Sequence, residues 1–288
     1  MRFSAFVAVL GACLMWGTTG NVASGMTASV SPLATGAFTM GVGGLLLALF
    51  TLGGVRKTLR NKQNLPWIVA GGLAVFVYPL AFYTSMHDAG VAVGNSISIG
   101  AGPLFAGLIE WVTRGRRPTL LWVVSLGVAV LGLTLVGVAR GGDGPAALQG
   151  VFLAILAGFG YALYSVSGNR LIEAGGNFAG SMGAVFGAGA IPLLVVLGMN
   201  GLPIFTETDN LLRGLYLALG PLVLGYLLFG FALTKASVQT VTLVSLLEPV
   251  IATTLAVLLL NETLPGYGWL GIALLIVGVA IAAFEKRK

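Results

Sequence analysis

The chain has 288 residues, of which 57% are hydrophobic and only 8% charged, with a mean hydropathy of +0.98. Soluble domains carry roughly 45–50% apolar and 25% charged residues, so this composition excludes them and points to an integral membrane protein. The net charge of +6 comes largely from basic residues in short connections between apolar stretches, where they set orientation and give no reason to invoke nucleic acid.

Cys13 and His87 are the only residues of their types, which leaves no disulfide framework and no zinc site, and neither a metal nor a cofactor is expected. Breaking the sequence at charges, Pro/Gly clusters and polar runs gives ten apolar spans: 3–25, 33–54, 65–86, 90–112, 120–139, 149–171, 179–199, 211–233, 237–260 and 266–284. About 20 helical residues cross a hydrocarbon core of roughly 30 Å, so each span is long enough. The fold class expected is all-α, with ten transmembrane helices. Glycine occurs 44 times, and small residues let helices approach closely where the hydrophobic effect does not drive packing.

The first span, with Arg2 before it and Ala23-Ser24-Gly25 at its end, has the outline of a cleaved signal peptide. The basic residues argue against cleavage. With the N-terminus inside, the inner connections hold Arg2, Arg56, Lys57, Arg60, Lys62, Arg114, Arg116, Arg117, Arg170, Lys235, Lys286, Arg287 and Lys288, and the outer ones only Arg140 and Arg213. Both termini are therefore expected in the cytoplasm, with the chain multi-pass in the cytoplasmic (inner) cell membrane. The connection from Arg140 to Gln149 contains Gly141-Gly142-Asp143-Gly144-Pro145 and divides the chain into residues 1–140 and 149–288, one membrane domain of two five-span repeats. Five is odd, so homologous halves would face opposite ways, as inverted-topology repeats.

Two spans share an unusual design. The fourth has a polar first half, with Asn95, Ser96 and Ser98, then Gly102 and Pro103 at mid-span; the ninth has Thr242 and Ser245, then Glu248 and Pro249. The two prolines stand about half the chain apart, and both are expected to break their helices. Pro249 has no N–H for the carbonyl of Ser245, so something polar should lie beside that carbonyl. Asn95, Ser98 and Gly102 recur at helical spacing, as do Thr242 and Ser245, and each set can offer hydrogen bonds along one face. Hydroxyls in membrane helices also bond their own preceding turn, which is the structural reading of the same residues.

Aromatic residues add to the candidates: Trp16 with Thr18, Thr19 and Asn21 in the first span, Tyr78 and Tyr83 in the third, Tyr161 and Tyr164 in the sixth, Tyr226 in the eighth. Aromatic faces with scattered hydroxyls suit a substrate with an apolar body and polar ends. Trp67, Trp111, Trp122 and Trp269 stand near span ends and are expected at the lipid interface. Glu110 precedes Arg114 by one helical turn and should pair with it; Gly183 and Gly187 form a GxxxG packing pattern. His87 with Asp88, and Lys235, are placed in solvated loops.

The run Leu246-Leu247-Glu248-Pro249-Val250, continuing through Asn261-Glu262-Thr263-Leu264 to Gly268-Trp269-Leu270-Gly271 and Gly278, resembles the EamA-type branch of the drug/metabolite transporter superfamily, most of all its exporters of amino acids and related metabolites. The resemblance extends over the whole chain in its ten short helices. It departs after the fourth span, where Thr113-Arg114-Gly115-Arg116-Arg117 stands in place of a Gly-Glu pair. It implies a substrate cavity lined by spans one, three, four, six, eight and nine, with access alternating across the membrane. Because the Glu-Pro pair accompanies different substrates in that branch, a structural role for Glu248 is favoured, while coupling through a proton or pairing with a substrate ammonium stays open.

The expected function is a secondary transporter, not an enzyme, exporting small organic metabolites with amino acids the leading class. Proton-coupled efflux of cationic drugs, or of other metabolites such as nucleosides, is the alternative. The sequence contains no GxxxxGK[ST] phosphate cradle, which argues against direct drive by ATP. A membrane enzyme would need a paired constellation, yet the acids at depth are Glu248 and Glu110 without a nearby histidine. The partners expected are the small-molecule substrate and the lipid bilayer, and a ten-helix bundle can enclose a site as a monomer.

Overall fold

A helix satisfies its backbone groups internally, so an apolar chain of this kind forms helices wherever it meets hydrocarbon. The structure, a computed structural model, describes residues 1–115, 117–139, 148–260 and 263–284. Among these, ten helices are long and apolar enough to cross a membrane: Phe3–Ser24, Pro32–Phe50, Lys62–Ala89, Val93–Arg114, Leu120–Ala139, Leu148–Glu173, Phe178–Asn200, Thr208–Leu233, Val238–Leu255 and Gly266–Ala283. The Arg140 to Gly144 connection, Arg116, Asn261 with Glu262, and the basic residues from Lys286 onward fall outside the described residues.

The sequence reading differs from the structure mainly at ends and interruptions. The third helix continues to Ala89, so His87 and Asp88 occupy its last turn instead of a loop; Gly90 then reverses the chain at φ 87°, a conformation that L side chains rarely adopt. Pro103 does not break the fourth span, which runs as one helix from Val91 to Arg114 and ends on Gly115 at φ 66°. A proline removes one backbone bond, and neighbouring helices can hold the rest of such a helix together. Two spans contain π-helical segments, Phe38–Val42 in the second and Ala218–Leu224, with Pro221, in the eighth.

Packing follows a pattern in which the main contacts between the halves recur with the halves exchanged. Span one packs on eight and nine as span six packs on three and four; span two meets eight as span seven meets three. Spans two and seven, four and nine, and five and ten pair directly. The pairs two–seven and five–ten are glycine seams. A Cβ at Gly44 would stand 2.7 Å from the carbonyl oxygen of Phe186, and one at Gly132 would stand 2.5 Å from that of Gly271. Gly183 and Gly187 belong to the first seam, facing Thr51 and Ala48. The described ends of the chain meet, since the Met1 amine donates to the Ala283 carbonyl at 2.7 Å, so both lie at one end of the bundle.

Candidate functional site

Between the halves is a cavity of about 420 Å³, lined by residues of spans one, three, four, six, eight and nine, and also by Thr39 and Met40 of the second. Its mouth lies at the end of the bundle opposite the chain termini, where Gly20 and Ser24 are exposed. None of the lining residues belongs to the opposite end, where Glu110, Arg114, Arg170 and Glu173 lie.

The floor is aromatic. Tyr164 and Tyr226 share a hydrogen bond between hydroxyls at 2.5 Å, and Phe186 packs under Tyr226 with ring centroids 4.2 Å apart. Trp16 leans on Tyr226 at 5.1 Å and donates its indole N–H to the Pro221 carbonyl at 2.9 Å. That carbonyl lies inside the π-helical segment of span eight, where the wider turn alters the backbone bonding, and π-bulges recur at functional sites. Tyr78 stands edge-on to Tyr164 at 5.6 Å, and Tyr161 at 5.5 Å. Gly102 makes room for this arrangement: a Cβ there would come within 2.3 Å of the Tyr161 ring.

Span nine is interrupted above the floor. Its helix runs from Val238 to Val244 and resumes at Leu247, so the break precedes Pro249, which sits in the first turn of the second piece. A proline is tolerated in a first turn because those N–H groups have no intrahelical partner. The Ser245 carbonyl, left without its partner by Pro249, accepts from the Glu248 N–H at 3.0 Å and from the Cys13 thiol at 3.7 Å. Glu248 itself is partly exposed to the cavity, and its carboxylate has no hydrogen bond or ion pair among the described residues.

Of the residues singled out from sequence, Trp16, Tyr78, Tyr83, Asn95, Ser98, Tyr161, Tyr164, Tyr226, Ser245 and Glu248 all line the cavity. Thr242 does not. It is fully buried and donates to the Val238 carbonyl at 2.8 Å, because a threonine facing packed helices finds its acceptor in its own turn. Ser98 and Ser245 do the same, donating to Gly94 at 2.7 Å and Val241 at 3.0 Å. Thr39 was missed; its hydroxyl is buried at the cavity without a hydrogen-bond partner, like that of Tyr161. A lone threonine in an apolar run gives no sequence signal of this. Trp122 is not at the lipid interface: it is 4% exposed, with its N–H donated to Gln239 at 3.3 Å, because Gly107 opens space for its ring.

The sealed end is held by charge. Arg114 is paired with Glu110 at 3.4 Å, one turn before it, and donates to Glu173 of span six at 2.9 Å. Glu110 is 1% exposed. Arg170 donates to Thr113 at 2.6 Å and lays its guanidinium over Trp67 at 4.8 Å. These contacts tie spans three and four to span six. At the mouth no ion pair joins the halves among the described residues: Thr18 meets the Tyr216 hydroxyl at 2.8 Å, the Asn210 amide donates to Thr27 at 2.8 Å, and the Thr27 hydroxyl donates to the Glu207 carboxylate at 3.4 Å.

The sequence matches the EamA-like transporter family twice, over residues 3–138 and again over 148–284. The chain belongs to the EamA-like transporter family. It is 31% identical to the uncharacterized transporter YwfM of Bacillus subtilis (strain 168), over 99% of this chain and 95% of that one. At 25% identity, over 85% of both chains, it is similar to a protein of Escherichia coli (strain K12) named probable amino-acid metabolite efflux pump. At 26%, over 88% of this chain and 83% of the other, it is similar to a probable terminal-alkyne amino-acid exporter of Streptantibioticus cattleyicolor. A solved crystal structure, 22% identical, superposes with a TM-score of 0.80 over 98% of this chain and 97% of its own, which shows that the two share a fold. As a member of this transporter family the chain is a multi-pass membrane protein.

Proposed function

We propose that this EamA-family transporter exports small organic metabolites, with amino acids the leading class, by alternating access through the central cavity. The observation that carries the reading is a cavity of about 420 Å³ between the halves, open at one end and sealed at the other by an ion-pair network. Ligand sites of roughly 300–1,000 Å³ bury most of a small molecule, so one amino acid or a metabolite of similar size fits. Relatives named for amino-acid export support the substrate class.

The two family matches contain five spans each, and an odd number of crossings turns the second half upside down relative to the first. The exchanged packing pattern supports residues 1–140 and 149–288 as inverted repeats of one membrane domain, and such a domain can rock about its shared site as a monomer. The excess of Lys and Arg on the terminal side of the bundle favours both termini in the cytoplasm, so the mouth faces outward.

The test is efflux of a labelled amino-acid mixture from preloaded liposomes containing the purified protein, with and without a pH gradient. Saturable efflux above protein-free liposomes supports export of amino acids, and its response to the gradient separates a facilitator from a proton antiporter. No flux from demonstrably folded protein overturns the substrate class.

A further inference from the structure

The cavity is electrostatically one-sided. Among the described residues that line it, Glu248 is the only Asp, Glu, Lys, Arg or His. The carboxylate has no counter-charge among the described residues, and an unpaired charge at membrane depth costs several kcal/mol. It must therefore meet a proton or a cation from outside the chain.

The surroundings suit the cation. Trp16, Tyr78, Phe82, Tyr161 and Tyr226 offer aromatic faces to the same space, and such faces attract an ammonium group. The Tyr161 and Thr39 hydroxyl oxygens are buried at the same space, and each can accept a hydrogen bond from an N–H donor. A carboxylate on the substrate fares differently. It would find no Lys, Arg or His, only neutral donors such as the Asn95 amide, and it would bring a second negative charge into a small space with Glu248. We propose that Glu248 receives the substrate's ammonium group, and that the site favours amines whose carboxylate is masked or missing, such as amino-acid amides and decarboxylated amines, over the free amino acids. This rests on the proposed export of small organic metabolites through the same cavity and moves the preferred class from free amino acids to their amides and decarboxylated relatives. Substrates with an extra negative charge, such as glutamate, are excluded.

The test is competition against saturable efflux in the same liposomes at near-neutral pH, where the amines stay largely protonated and added acid does not neutralise Glu248. The competitors are phenylalanine, phenylalanine amide, phenethylamine, N-acetylphenylalanine and glutamate. Expected is inhibition by the amide and by phenethylamine at concentrations about tenfold below that of phenylalanine, with none from the acetylated compound or glutamate. In Glu248→Gln the amide and the free acid should converge. Phenylalanine equalling or beating its amide in the wild type would overturn the proposal, as would full retention of the preference in a folded Glu248→Gln. Should that variant not fold, the wild-type ranking decides alone. Where no labelled amino acid moves at all, direct binding of phenethylamine and its amide and acid counterparts to the nanodisc-embedded protein is read by calorimetry. The same ranking there sustains the ammonium site while the export reading falls, and no binding by either amine overturns the site too.

Discussion

The two halves are joined by different chemistry at the two ends of the bundle. At the sealed end, Arg114 bridges Glu110 and Glu173, and Arg170 covers Trp67. At the mouth, hydroxyls, one amide and the Glu207 carboxylate link the halves, with no ion pair between them among the described residues. Parting Arg114 from Glu110 while Glu110 stays buried leaves an uncompensated charge, whereas a neutral hydroxyl bond exchanges for water at a net cost of about 0.5–1.5 kcal/mol. Alternating access needs two arrangements of similar energy. Opening the sealed end therefore requires compensation from elsewhere, and an occupied cavity is a natural source.

The comparison breaks most visibly with Arg114→Ala. It leaves Glu110 buried without its counter-charge, a loss of about 3–5 kcal/mol when one partner of a buried pair is removed. The expected result is a lower melting temperature and faster amide hydrogen exchange over residues 164–173, read by mass spectrometry. Gly102→Ala tests the floor instead: its methyl collides with the Tyr161 ring, and overpacking of this kind costs about 1–3 kcal/mol. Export should persist with a raised KM, because the ring is displaced into the cavity.

Tyr226→Phe strands the buried Tyr164 hydroxyl, at a cost of about 1–3 kcal/mol. The double variant Tyr164→Phe/Tyr226→Phe should recover most of that loss in thermal unfolding, since neither hydroxyl is then unpaired; an additive loss would show that the bond is not what joins them. Thr18→Val at the mouth is the smallest change. It should shift the melting temperature by less than Tyr226→Phe does, as expected for a part-exposed neutral bond.

Hydropathy and charge made the ten spans readable, because each must be apolar throughout and is flanked by polar residues. The irregularity of span nine was readable from Glu248 and Pro249, although the break falls earlier, at Ser245 and Leu246, where the carbonyl freed by the proline takes a closer N–H. The matching reading of Pro103 failed because a proline alone does not interrupt a helix that is well packed on both sides. Glu110 with Arg114 was legible from one-turn spacing; Glu173 was not, since the contact joins residues of different spans whose register only the packed bundle sets. Hydroxyl direction was equally hidden. Thr242 and Tyr161 look alike as polar residues in apolar spans, yet one bonds its own helix and the other points an unpaired oxygen at the cavity.

The glycine seams between spans two and seven and between five and ten have a mechanical consequence. Where main chain lies directly on main chain, as at Gly44 against Phe186 and Gly132 against Gly271, the glycine carries no side chain to catch as one half moves past the other. The seams thus act as bearings, and a methyl group added to one would act as grit, slowing the turnover of an otherwise intact transporter while its affinity stays where it was.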